Sequence, residues 1–314
     1  MRRIFKTIED HLTECTTLEK GVWVHLQSPT KEEVDGLTTR FNLDPTFLPA
    51  ALDEEESARI DYDSDKQQTL IIVDIPYVDT EGTGYVYSTI PLGIVLCDEV
   101  IITVCTRDTP IINDFTEERI RNFWTFKRTR FILQILQRNA GRFLSYLKQI
   151  DKTSQHIQEK LEHTSRNQEL LQMMKLEKSL VYFNTSLKGN ALVMERLMRQ
   201  DILKRYPEDT DLLEDVIIEN KQAIEMAKIY SDILSGTMDA FASVISNNLN
   251  IAMKFLSVIT IVLTVPTIVT SALGMNVAGI PFANNPYGFW IVVGISLLLT
   301  LIAGAIIAKN KHFK

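Results

Sequence analysis

Three patterns of apolar and polar residues follow one another along the chain. The N-terminal third holds short apolar runs broken by Asp, Gly and Pro. Residues 21–26, 69–77, 86–95 and 100–106 are rich in Val, Ile, Leu and Tyr and read as strands of one sheet. Ser28-Pro29 precedes an amphipathic stretch and predicts a helix over 30–41 with the proline in its first turn. Asp53-Glu54-Glu55-Glu56, followed by Asp61, Asp63 and Asp65, is an acidic stretch that fits either a solvated loop or a cation site.

From residue 117 to 205 the period lengthens. Phe131, Ile132, Ile135, Leu136, Phe143, Leu144 and Leu147 recur at spacings of three and four, as do Leu170, Met174, Leu180, Phe183 and Leu187. This predicts a pair of long antiparallel helices, broken by Pro207. Asp211 with Glu214 three residues later resembles a capping-box start. No proline interrupts 211–265, and apolar residues continue through Leu213, Ile217, Ile224, Ala227, Leu234, Met238, Phe241 and Ile245. One helix over 211–273 would reach about 95 Å. Gly236 is its weak point, at a cost of about 1 kcal/mol relative to alanine.

The third pattern is almost wholly apolar. From Phe255 to Ala308 there is no Asp, Glu, Lys, Arg or His. Residues 253–273 and 289–308 are each about 20 residues long, enough to cross a hydrocarbon core of about 30 Å. A charge at the centre of such a span costs about 3 kcal/mol, which accounts for their absence. Gly274-Met275-Asn276 falls in the turn between the spans.

Charge sets the orientation. Lys254 opens the first span and Lys309, Lys311 and Lys314 close the second, while residues 276–288 carry no basic residue. The positive-inside rule therefore predicts both termini in the cytoplasm and the loop outside. Met1-Arg2-Arg3-Ile4-Phe5-Lys6 has no apolar run, so no cleavable signal peptide is expected. The chain has 33 Lys and Arg against 40 Asp and Glu. Three lysines follow the second span and no acid lies beyond Asp239, so the part before the spans carries −10. An acidic body disfavours nucleic acid and suits cations as ligands, although solubility alone would also explain it. Cys15, Cys97 and Cys105 form no CxxC pair and the histidines are scattered, so neither a zinc cage nor a disulfide framework is encoded. No nucleophile–base set, P-loop or metal-ligand spacing appears, which argues against an enzyme.

Within the first span the polar residues are ordered. Asn250, Ser257, Thr260, Thr264, Thr267 and Ser271 follow a three-and-four spacing, with Met253 filling its one gap, and share one helix face. The second span offers only Ser296 and Thr300, and is expected to face lipid. The stripe fits a polar path, or hydroxyls that bond their own backbone or glue helices together. Pro266 frees a carbonyl near Val262 that those hydroxyls could satisfy. Two helices cannot enclose a path, so a pore requires several copies.

Ser246-Asn247-Asn248-Leu249-Asn250-Ile251-Ala252-Met253-Lys254-Phe255-Leu256, leading to Leu273-Gly274-Met275-Asn276-Val277, resembles the CorA-type divalent-cation transporters. Those proteins carry Gly-Met-Asn after the first of two C-terminal helices. The motif-level resemblance runs from about residue 211 onward, and the two terminal spans and basic tail agree with it. It implies an α+β cytosolic domain plus a long helical stalk and two C-terminal transmembrane helices, assembled as a homopentameric funnel. The domains expected are 1–115 (α/β), 116–206 (antiparallel helices), 207–252 (stalk), 253–273 (pore-lining span), 274–288 (outer loop), 289–308 (second span) and 309–314 (basic cytosolic tail).

The resemblance implies channel-like transport of Mg²⁺, with Co²⁺, Ni²⁺ or Zn²⁺ as other candidate ions, across the cell (inner) membrane. Gly274, Met275 and Asn276 form the entry, and Asn276 supplies the outer ring that meets hydrated Mg²⁺. The family's pore-lining positions match Asn250, Met253, Leu256, Thr264 and Thr267. All but Leu256 lie on the polar stripe, to which Thr260 and Ser271 also belong. Mg²⁺ holds six waters at about 2.0–2.1 Å and sheds them reluctantly, so amide and carbonyl oxygens can engage it without stripping that shell. A carboxylate ring would bind more tightly and hinder release. Met253 and Leu256 are expected to gate by dewetting.

The family also places cytosolic Mg²⁺ between subunits, where it holds the pore shut. Asp215 matches one of the bridging acids, with Asp79 or Glu81 as guesses for its partner; as plain chemistry, Asp215 equally complements a helix N-terminus. Two departures stand out. The outer loop lacks the acids many members place there, and Thr264-Val265-Pro266 stands where apolar residues are common. A zinc-transporting branch shares the topology, and a membrane-anchored helical scaffold is the alternative from another class. The intact Gly274-Met275-Asn276 favours Mg²⁺.

Overall fold

The computed structural model describes residues 1–81, 84–97, 100–163, 167–199, 206–275, 281 and 285–309. They fall into two units, Met1–Met238 and Asp239–Lys314. The first begins with β1 (Arg2–Ile8), β2 (His11–Glu14), β3 (Trp23–Gln27), α1 (Lys31–Arg40), α2 (Phe47–Ala50) and β4 (Arg59–Asp63). It continues with β5 (Gln68–Glu81), β6 (Gly84–Leu96), β7 (Ile101–Cys105), α3 (Pro110–Thr116), α4 (Arg128–His163) and α5 (Asn167–Arg199). The helix α6 (Pro207–Leu273) has 67 residues, of which 207–238 belong to the first unit and 239–273 to the second. The second unit also holds α7 (Gly288–Lys309).

The strands form one sheet in the order β2-β1-β3-β7-β6-β5-β4, with β3 and β7 parallel and all other neighbours antiparallel. Side chains alternate across a strand, so each central strand feeds two cores. On one face Ile71, Val73 and Ile75 of β5 join Ile90, Leu92 and Ile94 of β6, and pack with Phe131, Ile135 and Leu136 of α4, Val193 and Leu197 of α5, and Leu213 and Val216 of α6. On the other, Leu70, Ile72, Val95, Ile102 and Val104 pack with Val34 and Leu37 of α1 and Phe47 and Leu48 of α2. Both faces are covered, which explains why β7 reads as an unbroken buried run rather than an alternating one.

Several local expectations shift. The cap of α1 is Thr30, whose side chain accepts from the Glu33 N–H while Glu33 accepts from the Thr30 N–H; Pro29 precedes the cap rather than entering the first turn. β1, β2 and β4 were not foreseen: β2 and β4 are polar edge strands, and β1, inside the sheet, buries only Ile4 and Phe5 among polar neighbours. β4 runs through the acidic stretch, where Arg59 is paired with Glu56 and with Asp61, the latter at 2.6 Å. The helical pattern expected from residue 117 begins only at Arg128; Glu118 and Asn122 adopt positive φ in the connection before it. α6 starts at Pro207, one turn before Asp211. The Tyr206 N–H donates to Asp209 Oδ2 at 3.4 Å, so Asp209 plays the capping part expected of Glu214.

The helical layer is locked to the sheet by asparagines. β4 pairs with β5 only as far as Ile72, so the Asp74 peptide groups lie beyond the end of that strand. Asn190 of α5 accepts from the Asp74 N–H at 2.9 Å and donates to the Asp74 carbonyl at 2.8 Å, and Asn139 of α4 also donates to that carbonyl at 2.8 Å. Two helices thereby supply what a neighbouring strand would have given.

Candidate ion-conduction site

The second unit carries the polar stripe. Asn250, Met253, Ser257, Thr260, Thr264, Thr267 and Ser271 are all exposed along α6. So is Leu256 beside them, at 65% against 58% for Met253. The partly covered residues of this segment are Val258, Val262, Val265, Pro266, Val269 and Leu273, on the far side of the helix. The folded chain therefore turns its valines inward and leaves its hydroxyls and asparagine unpartnered by other elements.

Four of the five stripe hydroxyls, all but that of Ser271, are anchored one turn back. Ser257 donates to the Met253 carbonyl at 2.8 Å, Thr260 to Leu256 at 2.8 Å, Thr264 to Thr260 at 2.7 Å and Thr267 to Leu263 at 2.9 Å. Both readings of the stripe meet in this geometry. The single hydroxyl proton is spent on the backbone, so the oxygen presents only lone pairs outward. The surface so formed accepts hydrogen bonds and donates none from these four positions. None of these hydroxyls reaches the carbonyl of Val262 that Pro266 frees, contrary to expectation; they take the carbonyls dictated by their own i−4 geometry. On α7, Ser296 is buried and the Thr300 hydroxyl bonds the Ser296 carbonyl at 2.8 Å. The polar side of α7 is thus its covered side, and its exposed residues include Leu297, Leu298, Leu301 and Ile302, as a lipid-facing surface would require.

α6 ends at Leu273. The Gly274 N–H still bonds the Thr270 carbonyl at 2.9 Å, and a Cβ at Gly274 would sit 3.0 Å from that same oxygen. The lack of a side chain lets the chain turn tightly there. Met275 is exposed; Asn276 lies outside the described residues.

Asp215, Asp79 and Glu81, the acids expected to bridge a cytosolic cation, belong to the first unit. Asp215 is exposed on α6, and Glu219 one turn on has its carboxyl pKa pushed up by desolvation and then by the charge of Asp215. Asp79 near the end of β5 is engaged: its Oδ2 lies 3.3 Å from Nη1 of Arg107, whose guanidinium also stacks over Tyr77 at 4.7 Å. Glu81 closes the same strand opposite Gly84. Among the described residues no three acidic, Cys or His side chains converge as a metal cage. The exposed surface of α6 in the first unit was not anticipated from the sequence. Asp211, Asp215, Ile218, Gln222, Glu225, Ile229 and Asp232 continue the same three-and-four spacing and are all exposed, with Ile218 at 63% and Ile229 at 51%. The spacing alone could have revealed it.

Comparison with known proteins agrees with this architecture. A profile of the CorA-like Mg²⁺ transporter protein family matches residues 19–309. The cobalt/magnesium transport protein CorA of Methanocaldococcus jannaschii is 27% identical over 290 residues, covering 90% of this chain and 88% of its own. Its counterpart from Thermotoga maritima is 22% identical over 186 residues, 59% of this chain and 53% of its own. The complete structure of the M. jannaschii magnesium transporter superposes with a TM-score of 0.83 at 23% identity, covering 99% of this chain and 98% of that one. Two helices, Pro207–Leu273 and Gly288–Ile307, are long and apolar enough to cross a membrane. With a family profile spanning nearly the whole length and the complete two-span fold matched, the chain is a membrane protein that belongs to the CorA-like Mg²⁺ transporter family.

Proposed function

We propose that this chain forms a homopentameric channel that conducts hydrated Mg²⁺, and Co²⁺ or Ni²⁺ less selectively, across the cell membrane with both termini in the cytoplasm. The observation that carries the reading is the row of back-bonded hydroxyls on the exposed face of α6. The waters of a hydrated cation point their protons outward, and a wall of lone pairs receives them without competing for the metal. A wall free of carboxylates binds weakly enough to release the ion. Asn276 would capture the hydrated ion at the entry through its amide oxygen, with Gly274 and Met275 shaping the turn. Asn250 would line the inner end, and Met253 with Leu256 would close the path by dewetting.

One chain exposes this polar face, so copies must surround it. The exposed Ile218 and Ile229, set among acids at the same spacing, support association along α6 in the first unit as well. Cytosolic Mg²⁺ would bridge Asp215 of one subunit to an acid at the end of β5 of the next, for which Asp79 and Glu81 are the candidates. Two carboxylates four residues apart, Asp215 and Glu219, repel one another and suit a hard divalent cation. Purified protein in liposomes tests the reading: Mg²⁺-dependent uptake supports it, and active preparations without divalent flux support a membrane-anchored scaffold instead. Running Mg²⁺, Co²⁺, Ni²⁺ and Zn²⁺ side by side, with and without a proton gradient, separates the magnesium from the zinc reading.

A further inference from the structure

A cavity of about 420 Å³ lies between α3, α4 and α6 in the first unit, away from the acids considered above except Glu219. One wall is a single face of α4: Gln137, Arg138, Gly141, Arg142 and Ser145 recur with helical spacing. Gln137, Arg138, Arg142 and Ser145 all carry donors, and Gly141 between them leaves the floor open, since a Cβ there would meet nothing within 4 Å. Arg142 is held in place by Asp114, whose carboxylate is 10% exposed: Oδ2 lies 3.3 Å from Arg142 Nη2, and Oδ1 lies 3.3 Å from Arg119 Nη1. The side chains of Gln137, Arg138 and Ser145 have no hydrogen bond or ion pair among the described residues, nor does Glu219 on the opposite wall.

We propose that this cavity binds an oxyanion of the phosphate class through Arg138 and Arg142, with Gln137 and Ser145 completing the donor set. Guanidinium forks four residues apart present paired N–H groups to a tetrahedral oxyanion, and an amide and a hydroxyl on the same face match its remaining oxygens. Asp114 neutralises and orients Arg142, leaving Arg138 as the uncompensated charge that an anion would balance. The volume exceeds what a bare phosphate needs, so a phosphorylated small molecule also fits. Glu219 opposes it: a carboxylate facing the bound anion weakens binding, so the site is tuned against tight occupancy. The proposal does not depend on the transport reading, since none of the four donors belongs to the conduction path.

Calorimetric titration of the full-length protein in nanodiscs with inorganic phosphate and, in parallel, adenosine monophosphate tests this and separates a free oxyanion from a phosphorylated metabolite. Arg138 is exposed and bonded to nothing, so Arg138→Ala should fold normally; it should weaken binding by about tenfold or more. Glu219→Gln should tighten binding by removing the opposing charge, and Lys160→Ala, exposed about four turns further along α4, should leave it unchanged. Binding that is equal in wild type and Arg138→Ala overturns the proposal. So does a wild-type protein that binds neither ligand, as it would if another copy filled the cavity.

Discussion

The hydroxyl of Thr264 donates to the carbonyl oxygen of Thr260 at 2.7 Å, one turn back along α6, and Thr260 in turn donates to Leu256. Each threonine thus faces outward as an acceptor, an orientation set by the helix itself and not by a neighbour. Valine keeps the shape and removes the oxygen. The double variant Thr260→Val, Thr264→Val should lower initial Mg²⁺ uptake about tenfold, the equivalent of about 1.4 kcal/mol, with the assembly intact by size-exclusion chromatography. Thr300→Val on α7, where the same back-bond exists away from the path, should leave uptake unchanged.

Asn276 carries the entry in the proposed channel. Asn276→Ala should abolish Mg²⁺ uptake while leaving oligomer size and thermal stability as in wild type. Undiminished uptake would remove Asn276 from ion capture.

Asp215 is exposed on α6 one turn before Glu219. If cytosolic Mg²⁺ closes the channel through Asp215, Asp215→Asn should raise the internal Mg²⁺ needed for closure about tenfold, for a loss of about 1.4 kcal/mol of binding. Uptake measured against a series of internal Mg²⁺ concentrations reads this directly. A variant that closes at the wild-type concentration would leave Asp215 as a simple helix N-terminal charge.

The buried Asn190 amide serves both backbone groups of Asp74. Asn190→Ala strands a buried N–H and weakens the hold on a buried carbonyl, at a cost of about 3 kcal/mol. A lower denaturant midpoint in the fluorescence of Trp23 and Trp124, both in the first unit, is the expected result; transport by the folded fraction should be normal.

His25 is buried beside Thr103, whose Oγ1 lies 2.9 Å from Nδ1, and burial pushes its pKa down to about 4. The unfolded chain takes up the proton near pH 6.5 while the folded one resists it. Stability from this residue is therefore complete above about pH 6.5 and drains away as the pH falls toward 4, by up to about 3 kcal/mol. Melting curves across that window should fall less steeply for His25→Gln than for wild type.

Local chemistry was readable along the chain wherever a periodic signal stood alone. The two uncharged spans, the hydroxyl stripe of α6 and the long strands β5 and β6 follow from hydropathy and spacing, because hydrocarbon and a two-sided core each impose a simple rule on every residue they touch. The three-and-four rhythm of α6 reaches Asp211, although only its membrane part was recognised, since acids on a helix surface look like ordinary solvated residues. β2 and β4 were invisible for a related reason: an edge strand keeps its polar residues and is defined by the partner it bonds. β1 lies inside the sheet but buries only Ile4 and Phe5, too short an apolar run to stand out.

What the sequence by itself determined was the two membrane-length apolar spans, the polar face of the first and the Gly-Met-Asn tripeptide between them, since these depend on contact with lipid and water and on spacing along one helix. Only the tertiary structure decided that Asn139 and Asn190 finish a strand's hydrogen bonding, that Arg107 occupies Asp79, and that four donors of α4 meet Glu219 across a cavity. Those relations join residues from 28 to 116 positions apart. No local rule encodes which distant group satisfies a given donor; packing chooses the partner, and the unsatisfied groups become visible only after it has done so.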